Sequence, residues 1–356
     1  MKLFVAISGH GYGHLAQTAP VLQALHAMAP DVQLVVQSAL PRALLAGRLA
    51  MPFEHIPEAT DCNLVMRDAV RVDVPASLAA YRAFHDGWPG KVDAWARRLE
   101  ALRVDAVFSN VGYLPLAAAQ RAGLPAMAMC SLNWADIFAH YLGGEAGAGP
   151  LLEIMGAAYA GARAFLRPTP AMPMGNLGNA VAMPPVAQAG RAQRTALRSR
   201  LGLAADQRLV LIGMGGIAYR PPVEDWRRLP GVVYLVPDAW QPRHPAMRTV
   251  ADAGMSFGDV LASVDALVTK PGYGSYVEAA VAGVPVLTIP REDWPEAPWL
   301  NDWLGREARR LEIPEAVLLA GNLAEPLAAL WSLPAKPPVR ADGAAEAARH
   351  VLTLLA

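Results

Sequence analysis

The chain has little cysteine and no surplus of charge, and each scarcity narrows what it can be. Only Cys62 and Cys130 occur in 356 residues. They lie far apart with no metal-ligand spacing, so two reduced, buried thiols of a cytoplasmic protein are expected. Lys plus Arg number 31 and Asp plus Glu number 31. That balance leaves no electrostatic footprint for nucleic acid. Charged residues make up only 17% of the chain while 54% is hydrophobic, which is not a disordered composition. No apolar run reaches the roughly 18 residues of a transmembrane helix, which leaves only peripheral membrane contact open. The apolar run from Leu3 to Ser8 is too short for a signal peptide and reads as a first strand.

What is present is a repeating alternation of strand and helix. Residues 2–8 form an apolar run closed by a glycine cluster, as a buried parallel strand would be. Residues 14–28 carry helical spacing, and 31–38 read as the next strand, giving a βαβ unit and a parallel sheet. The alternation continues with a helix over 90–101, a strand over 104–109, a helix over 113–122 and a strand over 125–130. Residues 131–150 look loop-rich, and a helix is expected over 151–165. Residues 166–190 then hold five prolines among glycine, asparagine and other small residues, where neither helix nor strand is expected to persist. A second α/β series follows. The expected division is an N-terminal Rossmann-like domain at 1–165, a linker at 166–190, a second Rossmann-like domain at 191–343 and a last helix at 344–356. The fold class is α/β, with two Rossmann-like domains facing each other across a cleft that would hold the ligand.

Three segments carry chemistry. Residues 9–14 read GHGYGH, a glycine loop between a strand and a helix. Such a loop lets backbone approach a ligand and turns helix N-terminal amides toward an anion. It lacks the Lys-Ser/Thr ending of a P-loop. His10 and His14 are candidates to take a proton from a hydroxyl near neutral pH. Residues 213–218 read GMGGIA, which formally matches a dinucleotide fingerprint with Asp238 as its ribose acid. Pro221 and Pro222 deny that loop a crossover helix, so an amide cradle for a diphosphate is the better reading. Residues 264–293 read VDALVTKPGYGSYVEAAVAGVPVLTIPRED. Here Gly272, Gly274 and Ser275 suit phosphate oxygens at a helix N-terminus, and Glu278 is placed to accept two ribose hydroxyls. Ser275 to Glu278 is equally a capping box.

Residues 264–303 resemble the C-terminal-domain segment of GT-B glycosyltransferases, with its glycine loop, hydroxyl residue, helix and glutamate. The GHGYGH loop resembles the GGTGGH-like loop of the lipid-linked N-acetylglucosaminyltransferase of peptidoglycan synthesis. It is closer still to the GHG(F/Y)GH loop of glycosyltransferases predicted from sequence and of the N-terminal part of plant arabinokinases.

The resemblance implies a hexosyltransferase-like enzyme that moves a sugar from a nucleoside-diphosphate donor, such as a uridine (UDP) sugar, to a hydroxyl acceptor. The nucleotide sugar is then a co-substrate, and no separate cofactor or metal is expected. No D-x-D sequence occurs, in keeping with metal independence. Glu278 would bind the donor ribose, and Gly11, Gly13, Gly215, Gly216, Gly272, Gly274 and Ser275 would line the donor. Lys270 would add charge against the diphosphate. Glu292, Asp293 and Glu296 would read sugar hydroxyls. His14, or His10, would serve as base. Asn110, Trp134 and Asp136 are candidates for the acceptor side, while Tyr81, Phe84, Trp88 and Trp95 read as core. The segment departs from the family in Lys270 and in Trp294, Pro295 and Trp299, which stand where an acidic-Gln pair is common. A nucleotide-sugar epimerase and a non-catalytic nucleotide-sugar-binding protein are the alternatives.

Overall fold

A computed structural model describes every residue from Met1 to Ala356. The chain forms two compact units. Unit 1 comprises Met1–Arg67, Arg71–Val186 and Ala341–Ala356; unit 2 comprises Asp68–Val70 and Ala187–Arg340.

Unit 1 is built on strands β1 (Lys2–Ile7), β2 (Gln33–Gln37), β3 (Glu54–Ile56), β4 (Ala106–Asn110), β5 (Ala126–Met129), β6 (Phe165–Pro168) and β7 (Ala180–Met183). Their order is β3-β2-β1-β4-β5-β6-β7, all parallel. Strand β1 is apolar beyond Lys2 and β4 is apolar up to Ser109, and both are buried on both faces, as a central parallel strand must be. The helices Gly13–Met28 and Gly343–Leu355 pack on each other, and Leu15, Leu22, Val351 and Leu354 join one apolar core with Val5, Val36 and Phe108.

Unit 2 is built on β8 (Arg208–Ile212), β9 (Val232–Val236), β10 (Met247–Thr249), β11 (Ala266–Thr269), β12 (Val286–Thr288) and β13 (Arg310–Glu312). Their order is β10-β9-β8-β11-β12-β13, again all parallel. In each sheet the strand order reverses beside the first strand, between β1 and β4 and between β8 and β11. Open parallel sheets bind ligands at the carboxyl ends of the strands at that reversal.

Three expectations about the organisation are corrected. The Pro/Gly-rich stretch is not a linker, because it carries β6 and β7. Its prolines fall at the end of β6, in the connection to β7 and beyond β7, so the short ladders keep their donors: Phe165 N–H donates to Asn179 O at 3.0 Å and Cys130 N–H to Leu166 O at 3.1 Å. Residues 131–150 are not loop-rich. They hold the helix Trp134–Leu142, capped by Asn133 Oδ1 accepting from Asp136 N–H at 2.8 Å, and the start of the helix Ala148–Ala160. The last helix is not a separate piece or part of the second domain. It completes unit 1, and unit 2 starts at Ala187.

Candidate functional site

In unit 2, two glycine loops meet where β8 and β11 part. Gly213 N–H donates to Val268 O at 2.9 Å, and Thr269 Oγ1 donates to Gly213 O at 2.6 Å, tying one loop to the other. The helix Tyr273–Ala282 starts at Gly272, whose backbone is extended and which offers no side chain to cap the helix. The N-cap is therefore not Ser275, and the Ser275–Glu278 capping box does not form. First-turn amides without a side-chain cap are an anion site by construction. Ser275 sits half-buried at the third helical position, and Glu278 is buried one turn further on.

Lys270 stands between the loops. It is 9% exposed, and a Cβ placed on Gly215 would lie 3.9 Å from its Nζ. Gly215 holds φ at +78°, a backbone that L side chains rarely adopt. Burial pulls the Lys270 ammonium down to about 7, the neighbouring Arg291 guanidinium pulls the same way, and Glu296 opposes both. Arg291 is buried, with its guanidinium carbon 3.7 Å from the centre of the Trp294 ring. The Trp294 indole N–H donates to Glu296 Oε2 at 3.1 Å. Glu296 thus belongs to a buried cluster with Lys270, Arg291 and Trp294, whereas Glu292 and Asp293 are exposed. Gly216 is exposed at the tip of its loop.

The dinucleotide alternative finds no support in this loop. Only a single 3-10 turn, Val223–Asp225, follows it, and Asp238 Oδ1 accepts the Ala251 N–H at 2.7 Å.

In unit 1 the corresponding position lies between β1 and β4. Ser8 N–H donates to Asn110 O at 2.7 Å, and Gly11 takes φ at +75°. Gly13 opens the helix Gly13–Met28, which has no side-chain cap. His14 is 5% exposed, and its Nδ1 lies 2.9 Å from Asn110 Oδ1 and 3.6 Å from Cys130 Sγ. Burial lowers the His14 imidazole to about 4, and the Asn110 contact opposes that only in part. The His10 and His14 rings both pack on Trp134, with centroids at 5.2 and 5.8 Å. The Trp134 indole N–H donates to Asp61 Oδ2. Burial raises the Asp61 carboxyl to about 6, against hydrogen bonds from Thr60, Trp134 and Ser8.

The structure brings His10, His14, Asn110 and Trp134 together. It gives Asp136 a local task instead: Asp136 Oδ2 accepts from Asn133 Nδ2 at 2.9 Å at the start of its helix. Asn110 is fully buried and turned to His14. Sequence reading did not single out Asp61, Gln17 or Arg291. Asp61 lies in an irregular stretch with no periodicity. It is held there by a backbone approach so close that a Cβ on Gly112 would sit 2.8 Å from Thr60 O.

Two parallel sheets, each with a glycine loop where its strand order reverses, define the GT-B fold: two Rossmann-like units in one chain. No protein-family model matches the chain. It is 25% identical over 323 residues to the L-arabinokinase of Arabidopsis thaliana, which takes in 89% of this chain and 31% of that protein. The chain therefore spans about a third of the length of that relative.

Among solved structures, the calicheamicin glycosyltransferase CalG4 matches with a TM-score of 0.64 over 99% of this chain and 98% of that one, at 15% identity. UGT89C1 of Arabidopsis thaliana, complexed with UDP, matches with a TM-score of 0.57 over all of both chains, at 14% identity. A Listeria monocytogenes protein assigned as a UDP-N-acetylglucosamine 2-epimerase matches at 0.55 over 99% and 95%, also at 14% identity. No helix of this chain is long and apolar enough to cross a membrane.

Proposed function

We propose that the protein is a glycosyltransferase that takes a sugar from a nucleoside-diphosphate donor and passes it to a hydroxyl acceptor without a metal. The observation that carries this reading is the pair of glycine loops of unit 2, tied by Thr269, with the buried Lys270 beside them. Cleavage of the donor's anomeric bond leaves negative charge on the departing diphosphate. The amides at the start of the helix Tyr273–Ala282 and the Lys270 and Arg291 cations are fixed there before the reaction, so no reorganisation is needed when that charge develops. Glu278 accepts the ribose hydroxyls. In unit 1, His14 takes the proton of the acceptor hydroxyl as its oxygen attacks the anomeric carbon. The fold shared with UGT89C1 bound to UDP supports a uridine nucleotide.

The test follows nucleoside-diphosphate release and thermal stabilisation with uridine, thymidine and guanosine diphosphate sugars. One donor is expected to raise Tm, with the rise lost in Glu278→Ala and Lys270→Met and release lost in His14→Ala. Because Lys270 titrates near 7 when free, the bound diphosphate will hold it charged. Donor binding should then take up a proton above pH 7 and weaken as pH rises further, which calorimetry in buffers of different ionisation enthalpy reads directly. No stabilisation by any nucleotide sugar would sink the proposal. Binding with sugar isomerisation and no release would favour the epimerase, whose fold this chain also shares.

A further inference from the structure

His14 is held from behind by a chain of three buried groups. Its Nδ1 meets Asn110 Oδ1 at 2.9 Å, Asn110 Nδ2 donates to Gln17 Oε1 at 3.3 Å, and Gln17 Nε2 donates to Ser131 Oγ at 2.8 Å. All four residues are at most 5% exposed. His14 and Gln17 lie one turn apart on the helix Gly13–Met28, Asn110 ends β4, and Ser131 follows β5. Three elements of the sheet's carboxyl end therefore converge on one imidazole nitrogen.

We infer that Gln17 and Asn110 are positioning residues that lock His14 in its Nδ1–H tautomer and so leave the Nε2 lone pair as the proton acceptor; the catalytic meaning of this lock rests on the transferase reading. A primary amide carries a donor and an acceptor on opposite sides, so each amide in the chain passes on an orientation. Gln17, anchored at Ser131, offers its oxygen to Asn110. Asn110 spends its N–H there and must turn Oδ1 to the imidazole. An amide oxygen accepts only, so the facing nitrogen must carry the hydrogen. Turning one amide alone would set like groups face to face inside the chain, N–H against N–H if Gln17 turns and oxygen against oxygen if Asn110 turns.

The groups that face His14 are Asn110 from β4, Cys130 after β5 and Trp134 from the next helix, on whose ring His10 of the glycine loop also packs. No carboxylate is in hydrogen-bonding contact with the ring; Asp61 lies beyond Trp134. A neutral partner orients the imidazole without stabilising its cation. His14 is therefore uncharged in the resting protein, and the lone pair at Nε2 stays available down to mildly acidic pH.

The test is nitrogen NMR of the full chain carrying 15N-histidine, with His14→Gln to assign the signal. The wild-type ring is expected as Nδ1–H, unprotonated from pH 5 to 8. Gln17→Leu should give a tautomer mixture, and Gln17→Glu, which keeps an acceptor for Asn110, should restore one tautomer. Asn110→Asp should raise the ring's proton affinity roughly 10- to 1,000-fold, because a carboxylate replaces an amide. Cys130→Ala should change nothing.

A wild-type ring found as Nε2–H overturns the inference, since it means the chain runs in the opposite direction from the Ser131 hydroxyl. A single Nδ1–H tautomer that survives Gln17→Leu overturns the role of Gln17. If no donor turns over while the tautomer results hold, it is the transferase reading that fails and not the lock.

Discussion

Asp61 and His14 are two buried titratable groups on either side of one indole, and burial moves them in opposite directions. The folded protein prefers Asp61 protonated up to about 6, against an ordinary value of 3.8. Its favourable contribution is therefore present below about 4 and lost as pH climbs to 6. His14 is the reverse: its folded value near 4 lies below 6.5, so stability is lost as pH falls from 6.5 to 4. Each group is worth at most about 3 kcal/mol. Asp61→Asn should remove the first loss, so the variant gains on wild type between pH 4 and 6.5 and keeps that gain above it. Urea midpoints at pH 4 and 7.5 check this; equal differences at the two values would show that Asp61 is not held protonated. Much of this was beyond sequence reading. The N-W-A-D run at 133–136 does carry a capping signature that could have assigned Asp136 to its helix. Nothing local marks Asp61, because apart from the adjacent Thr60 its partners lie 53 and 73 residues away in the chain, at Ser8 and Trp134. Asn110 was legible as a polar residue at a strand end. Only the fold shows that it faces a histidine instead of a ligand.

At the scale of elements, the two glycine loops were readable because strand, glycine and helix follow one another within a few residues. Strands β6 and β7 are hidden in the sequence because a proline-rich stretch argues against a strand, whereas every proline here lies at the end of β6 or outside both strands. The helix Gly343–Leu355 was expected, but its attachment was not, since a helix's partner is a tertiary fact. Its start is pinned by backbone contact: Gly343 N–H donates to Pro185 O at 3.0 Å, and a Cβ at 343 would lie 2.2 Å from Pro184 O. Gly343→Ala must therefore push the helix start off the chain that follows β7. It should destabilise unit 1 by about 1–3 kcal/mol, read as an earlier calorimetric transition, with the transition of unit 2 unmoved. An unchanged thermogram would mean that the helix start yields at no cost.

At the scale of the whole molecule, unit 1 is discontinuous. Residues 1–186 lack the helix that covers Leu15, Leu22 and Leu25, which are buried to within 1% of full burial in the intact chain. A fragment ending at 186 should expose that apolar face, bind a hydrophobic dye and aggregate. A 341–356 peptide added in trans should reduce both. A monomeric, cooperatively folding fragment would show that the helix is dispensable.

That same discontinuity sets an order of events on the ribosome. Unit 2 is encoded almost entirely within an interruption of unit 1, so its sheet can close while its host still lacks a wall. At roughly 5–20 residues per second, the 154 residues from Ala187 to Arg340 keep the open face of the first helix waiting for about eight to thirty seconds. The half of the molecule made first is the half finished last, and a nascent chain stalled anywhere in that interval presents a sticky helix to whatever chaperone is near.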